Sequence, residues 1–288
     1  MVPDNRESAG RLPDFLCVGP PRAATTWLDA VLRGHVGLPR AIKEVDFFIE
    51  NYARGIDWYR KYFAGCDPDL PCGEICASYF STVARERIVK HLPRCRIICT
   101  FRDPVARRYS FYKLAVRNAW TSDDFESWVR NDEVSDGAGL RGWFDDFGRD
   151  NVLVLIHDDL EADPQAFLDR VCRFIGIAPY SLADTAVGAR RINTFSAPPR
   201  NPRLARRGRK LRDWLKKREA YGTINLLGRA GLWRYCFDGG DRFPALEPAV
   251  EARLRARYRS EVEALEELIG RDLSAWKFGA NGAAGQRA

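Results

Sequence analysis

The stretch FLCVGPPRAATTWLDAVL, residues 15–32, sets a short apolar run before a Gly-Pro-Pro turn, an arginine, two alanines and two threonines. A strand that delivers a basic residue and hydroxyls to the start of a helix can hold an anion. The first N–H groups of the helix have no intrahelical partner, and the helix dipole favours negative charge there. Arg22 adds a planar fork of donors matched to phosphate or sulfate oxygens, and Thr25 and Thr26 fall where the helix begins. The loop lacks the Gly-Lys-Ser/Thr ending of a P-loop. Taken alone, the stretch reads equally as an ordinary capped helix after a strand.

Two further stretches carry chemistry. In AIKEVDFF, residues 41–48, Lys43 stands beside Glu44 and ahead of two phenylalanines. A carboxylate next to a cation and an apolar wall suits a base whose proton affinity must be tuned; a solvated surface pair is the other reading. In FRDPVARRYSFYK, residues 101–113, Arg102 ends a strand, Asp103 can cap a helix, Pro104 suits its first turn and Ser110 lies two turns inside. Here the alternative is a surface salt bridge at Arg102.

Strand signals at 15–18, 96–101 and 152–157 are each followed by a helical pattern, at 26–33, 105–117 and 164–175. Such alternation predicts an α/β fold with a parallel sheet covered by helices on both faces. Ligands of these sheets gather at the carboxyl ends of the strands, and Arg22, Arg102 and Asp158/Asp159 all lie just past one. Residues 47–63 are rich in aromatics and predict a helix in their second half. There Trp58, Tyr59, Tyr62 and Phe63 share one face and read first as core. Trp120 and Trp143 join Trp58 and Tyr59 as candidates for either a pocket or the core. Residues 118–150 read as helices joined by a turn at 135–139, and 247–268 as a charged amphipathic helix stopped by Gly270. The chain is expected to be a single domain over 1–288, with a flexible N-terminus at 1–13 and a helical cap over 192–240.

Apolar residues make up 45% and charged residues 30% of the 288, a globular composition. No apolar run is long enough to span a bilayer, and the polar N-terminus lacks a signal-peptide core; the expectation is a cytoplasmic protein. The eight cysteines read as free, mostly buried thiols. A zinc site at His91, Cys95 and Cys99 is disfavoured, because Cys95 and Cys99 on one strand would stand about 13 Å apart; no metal is expected. The net charge of +7 is uneven: residues 200–218 hold ten Lys/Arg and one Asp, a local +9, leaving −2 elsewhere. This segment, with Leu204, Leu211, Trp214 and Leu215, reads first as a solvated basic face. Binding of nucleic acid, contact with a membrane surface or attraction of an anionic acceptor are the functional alternatives.

The ordered set GPPRAATTWL, KEVDFF and FRDPVARRYSFYK resembles the sulfotransferases that use 3′-phosphoadenosine 5′-phosphosulfate (PAPS), in the branch of heparan sulfate and bacterial small-molecule enzymes. NYARGIDWYRKYF, GEICASYF and LEELIGRDLSAW extend the likeness over residues 14–276. The resemblance implies a P-loop-like parallel β-sheet flanked by helices with a mostly helical C-terminal segment. It also implies in-line sulfuryl transfer, without a metal, to a hydroxyl of a small molecule, glycolipid or sugar, leaving the bisphosphate PAP. Carried over by position, Arg22, Ala23, Ala24, Thr25, Thr26 and Trp27 form the loop for the 5′-phosphosulfate. Arg102 and Ser110 hold the 3′-phosphate, Glu44 is the base, and Lys43 contacts the sulfate or sets the ionisation of Glu44. Arg191 and Asn193 make a later cofactor contact.

Five positions depart from or bear on that pattern. Arg22 stands where lysine is commonest, and Ala23 and Ala24 replace the glycine usual before the threonine, narrowing the room near the phosphate. Ile75 stands where the glycan enzymes carry a lysine, which weighs against a heparan-like acceptor. Glu74 is expected to be structural. A P-loop kinase, the rival enzyme, would need a lysine at the phosphates and a carboxylate for magnesium, for which Asp158 or Asp159 would have to serve.

Overall fold

A computed structural model describes residues 10–185 and 197–279. In chain order the elements are β1 (Phe15–Gly19), α1 (Thr25–Leu32), α2 (Ile56–Arg60), β2 (Gly73–Ile75), α3 (Thr82–His91), β3 (Arg96–Phe101), α4 (Pro104–Arg117), α5 (Phe125–Val129) and α6 (Asp136–Phe147). They continue with β4 (Val152–Ile156), α7 (His157–Ala162), α8 (Pro164–Ile175), α9 (Pro202–Lys217), α10 (Tyr221–Arg229), α11 (Leu232–Phe237), α12 (Pro248–Ile269) and α13 (Ser274–Phe278). The four strands form one parallel sheet in the order β2-β1-β3-β4. The P-loop-like α/β architecture read from the sequence is the one found. β2, a three-residue strand, is an addition.

The described residues divide into two compact units. The first runs to Arg102 and includes 135–185 and 261–272; the second takes in 103–134, 197–260 and 273–279.

In the first unit the sheet is buried because its strands are apolar on both sides: all five residues of FLCVG and the last five of RIICTF are buried. One face packs Phe15, Cys17, Ile75, Ile98 and Leu155 on Trp27, Leu28, Val31 and Leu32 of α1 and on Phe167, Leu168 and Val171 of α8. Full burial of Leu28, Val31 and Leu32 stabilises by about 1.5–3 kcal/mol each. On the other face Phe101 meets Phe80 edge to face, with ring centroids 5.5 Å apart. α8 starts and stops on local signals: Asp163 accepts from Ala166 N at 2.9 Å, Pro164 opens the first turn, and Gly176 follows the helix in the left-handed region. The expected turn at 135–139 is instead the beginning of α6. Its glycines serve packing: a Cβ on Gly137 would stand 2.9 Å from the Ala264 Cβ, and one on Gly139 2.6 Å from the Phe80 ring.

In the second unit α4 begins as anticipated. Asp103 Oδ1 accepts from Val105 N at 2.8 Å and Ala106 N at 3.3 Å, and Pro104 occupies the first turn. Asp103 also pairs with Arg255 of α12 at 2.9 Å. Val105, Val129, Val134, Val250, Leu254 and Tyr258 form an apolar cluster there. α9, α10 and α11 pack on one another, with Ala205, Cys236 and Phe237 at their centre. Trp143 and Tyr59, both first-unit residues, are core, whereas Trp120 in the second unit is half exposed.

Candidate active site

The loop after β1 is shaped by its backbone. Gly19 has φ +95°, and a Cβ there would lie 2.6 Å from the Ala77 carbonyl oxygen, so only glycine fits. Arg22 and Ala24 follow at φ +69° and +72°, a left-handed conformation that costs a residue with a Cβ about 1–2 kcal/mol. Ala24 takes the backbone shape that a glycine would adopt freely. It is also the N-cap residue of α1, and having no polar side chain it makes no cap hydrogen bond. The first N–H groups of α1 therefore receive no bond from the N-cap side chain. Ala23 and Thr25 are buried, Thr26 is half-buried, and Trp27 packs edge to face on Phe167 at 5.7 Å.

Arg102 follows β3, the neighbour of β1, and comes close enough to influence Arg22. Burial, with the Arg102 charge added, pushes the Arg22 guanidinium down to about 10. Arg22 therefore stays protonated at neutral pH and the pair is doubly cationic.

The Lys43–Glu44 loop is shaped by side chains. Lys43 Nζ donates to Glu44 Oε1 at 2.6 Å, and both residues remain partly open to solvent. Immediately beyond them Val45 N and Asp46 N donate to Glu74 Oε1 at 2.6 and 3.3 Å. The Tyr59 and Tyr79 hydroxyls donate to Glu74 Oε2 at 2.6 and 3.0 Å. The Tyr79 oxygen in turn accepts from Phe47 N at 2.8 Å. Asn51 Nδ2 donates to the Val45 carbonyl at 2.8 Å, and Ser78 Oγ donates to Asp46 Oδ1 at 2.6 Å. Phe47 is fully buried and stacks on Tyr59 with centroids 4.7 Å apart. The structural role expected of Glu74 is what its contacts describe: a carboxylate inside the fold that fixes the residues next to Glu44.

Charge reports on the same arrangement. Burial raises the Glu74 carboxyl to about 7 despite its four hydrogen bonds. Asp46, in the left-handed region at φ +58°, is also raised, chiefly by burial and further by Glu44 and Glu50, with the Ser78 bond opposing. Cys17 of β1 is pushed up to about 12 by burial, and Lys43 and Glu44 both act on it. Asp46, two residues beyond Glu44, bonds Ser78 just past β2, which puts the lysine–glutamate pair near the carboxyl end of β2, the neighbour of β1.

Arg22, Arg102, Lys43 and Glu44 thus belong to one unit and one end of its sheet. Ser110 lies on α4 in the second unit, half-buried. Arg191 and Asn193 lie outside the described residues. Ile75 is buried among Phe15, Trp27 and Leu28, so this position supplies no cation. Asp159, the acid a kinase would need, is held by Arg170 at 3.0 Å and Arg271 at 2.7 Å. Burial alone would raise its carboxyl, but these arginines leave it below its ordinary value. His91 Nε2 bonds the Tyr52 hydroxyl at 2.9 Å, and the Cys95 thiol faces the Arg96 carbonyl. A cavity of about 640 Å³ lined by Arg11, His91, Arg94 and Arg96 sits by the amino ends of β1 and β3, away from these residues.

Sequence reasoning did not find the roles of Tyr79, Asn51 and Ser78, and weighed Tyr59 only as core or pocket. The one signal was Glu74 itself, an acid in an otherwise apolar strand.

A parallel sheet with a partly left-handed loop after its first strand defines the class of fold: P-loop-like α/β. Residues 12–186 match the family described as a sulfotransferase domain, and the chain belongs to that family, whose shared chemistry is sulfuryl transfer. It is 27% identical over 204 residues to the bifunctional heparan sulfate N-deacetylase/N-sulfotransferase 4 of Mus musculus, covering 60% of this chain and 23% of that protein. Against bifunctional heparan sulfate N-deacetylase/N-sulfotransferase 2 of Homo sapiens the identity is 28% over 205 residues, with the same coverage. The match therefore spans less than a quarter of the length of these curated relatives. Among solved structures, a sulfotransferase from Alicyclobacillus acidocaldarius is similar in fold, with a TM-score of 0.63 and 22% identity over 93% of this chain and 99% of that one.

Proposed function

We propose that this chain moves the sulfuryl group of PAPS to a hydroxyl of a small-molecule, glycolipid or sugar acceptor, with Glu44 taking the acceptor's proton. The observation that carries this reading is the approach of Arg22 and Arg102 past adjacent strand ends, with Lys43 and Glu44 at the same end. The residues fit a donor with two anionic ends, since the chain offers two guanidiniums, a left-handed loop and an α1 start without a side-chain cap.

PAPS, when bound, supplies the transferable sulfuryl group and leaves as PAP. Arg22, Thr25 and Thr26, with the backbone N–H groups of the loop from Ala23 to Trp27, would hold its 5′ side, and Arg102 its 3′-phosphate. Arg22 acts as a clamp rather than an acid, because it stays charged. Glu44 is a carboxylate on a loop that Glu74 immobilises, so it can meet the acceptor's proton in a fixed position. Lys43, which donates to Glu44 Oε1, would help to hold that carboxylate in place or contact the sulfate. The two curated relatives are named for N-sulfation, and an amino acceptor would also lose a proton to Glu44. Hydroxyl acceptors are favoured by the motif resemblance.

The test is transfer from labelled PAPS to a panel of hydroxyl and amino acceptors, run beside labelled ATP. Labelled product that depends on PAPS and is lost in Glu44→Gln, while PAP still binds, is the expected outcome. Wild-type turnover in Glu44→Gln, or phosphate transfer from ATP alone, would overturn the assignment.

A further inference from the structure

α9 carries most of the chain's excess positive charge, with ten Lys/Arg against Asp213 over residues 200–218. Its inward side is small and apolar. Ala205, Gly208 and Leu215 are buried, and a Cβ on Gly208 would meet Cys236 of α11 at 3.0 Å. Its outward side interleaves Arg206, Lys210 and Lys217 with Leu211 and Trp214, which are 41% and 50% exposed. Leu226 of α10 and Tyr235 of α11 are more open still, at 66% and 74%. Four of the six large apolar side chains most exposed among the described residues therefore lie on these three packed helices.

Charge and apolar exposure together narrow the partner. A face evolved only for solvation has no use for an open tryptophan and two leucines. A polyanion held by charge gains nothing from Leu211 or Leu226. A tryptophan and leucines set among lysines and arginines make up a helix that lies in a lipid headgroup layer. The rings and leucines enter the acyl boundary, the basic stems reach back to water, and the charges meet anionic headgroups. The Arg218 guanidinium sits over the Trp214 ring at 4.5 Å, which keeps the indole beside a cation as an interfacial ring requires.

We propose that α9, with α10 and α11, docks this protein reversibly on an anionic phospholipid surface. The contact is peripheral; among the described residues no helix is long and apolar enough to cross a membrane. The proposal is independent of the chemistry at Glu44, and its readout is binding rather than transfer.

The experiment is co-sedimentation of the full chain with vesicles of phosphatidylcholine alone and with about 30% phosphatidylserine, at low and high salt. Binding is expected only to the anionic vesicles and should weaken as salt rises. Lys210→Glu combined with Lys217→Glu should weaken it at least about twentyfold, since each lysine near such a surface is worth about fivefold. Trp214→Ala, which keeps every charge, should weaken it about fivefold or more. Both variants should melt like the wild type and retain transfer. Failure to bind anionic vesicles at low salt would overturn the proposal. So would Trp214→Ala binding them as well as wild type while the charge variant loses heparin or RNA, because the face would then be a polyanion site.

Discussion

Between Gly19 and Thr25 the chain is shaped by its own backbone, with three positive φ values and an N-cap residue that makes no side-chain cap bond. Between Lys43 and Asn51 it is shaped by others: Glu74, Tyr79 and Ser78 reach in from the β2 region, and Tyr59 from α2. Under the proposed chemistry the first loop presents many N–H groups to one anion, and an unusual backbone path can turn them the same way. The second must present one carboxylate, so its neighbours can be tied down from behind. A backbone-made site tolerates changes of side chain, hence Arg22, Ala23 and Ala24. A side-chain-made loop depends on a single buried acid.

That contrast can be broken in four places. The largest effect is expected from Glu44→Gln, which should lower kcat by about 10²–10⁴ while calorimetry finds PAP affinity near wild type. Next is Glu74→Ala. It leaves two backbone N–H groups and two phenols without their acceptor, and thermal or urea unfolding should register a loss of about 3–5 kcal/mol.

Glu74→Gln separates shape from charge in the same loop. The wild-type carboxyl binds its proton more tightly folded than unfolded, being raised from 4.5 to about 7. Wild-type stability should therefore fall as pH rises through that window, by a few kcal/mol at most, and Glu74→Gln should flatten the slope. Equal pH slopes for the two proteins would remove Glu74 as the titrating group.

Arg102→Ala should cost PAP about 10–100-fold in affinity and adenosine 5′-phosphate much less, because hydrogen bonds to charged groups are worth about 1.5–3 kcal/mol. Equal losses would refute a 3′-phosphate contact. The smallest effect is expected from Ala24→Gly: relief of the left-handed strain, offset in part by glycine's greater freedom when unfolded, should stabilise by about 0.5–1 kcal/mol. A loss of stability there would mean that the methyl group matters to the packing of the loop.

Much of the frame was legible because local signals agreed with it. β1, β3 and β4 lie within a residue of their apolar runs, and α4 and α8 open on the Asp-Pro pairs that mark them. β2 was not legible, since three residues carry no periodicity. The glycines at 137 and 139 were misread as a turn because the need for them is tertiary, the close approach of Ala264 and Phe80. The same limit hid the Glu74 network: its partners are 5 to 29 residues away along the chain, and nothing in a tyrosine's neighbours announces where its hydroxyl points. Arg22, Lys43, Glu44 and Arg102 could be named from sequence because each follows a strand or a recognisable motif.

The Arg102 charge disfavours the charged form of Arg22, a penalty that phosphate oxygens near the two would offset. Under the proposed chemistry those oxygens are untouched by transfer, so the spent donor soothes the pair as well as the fresh one does. Letting it go re-creates that penalty, and the exit step is uphill. Such an enzyme would be paced by departure of its by-product, slowing as that by-product accumulates and quickening when a phosphatase clears it.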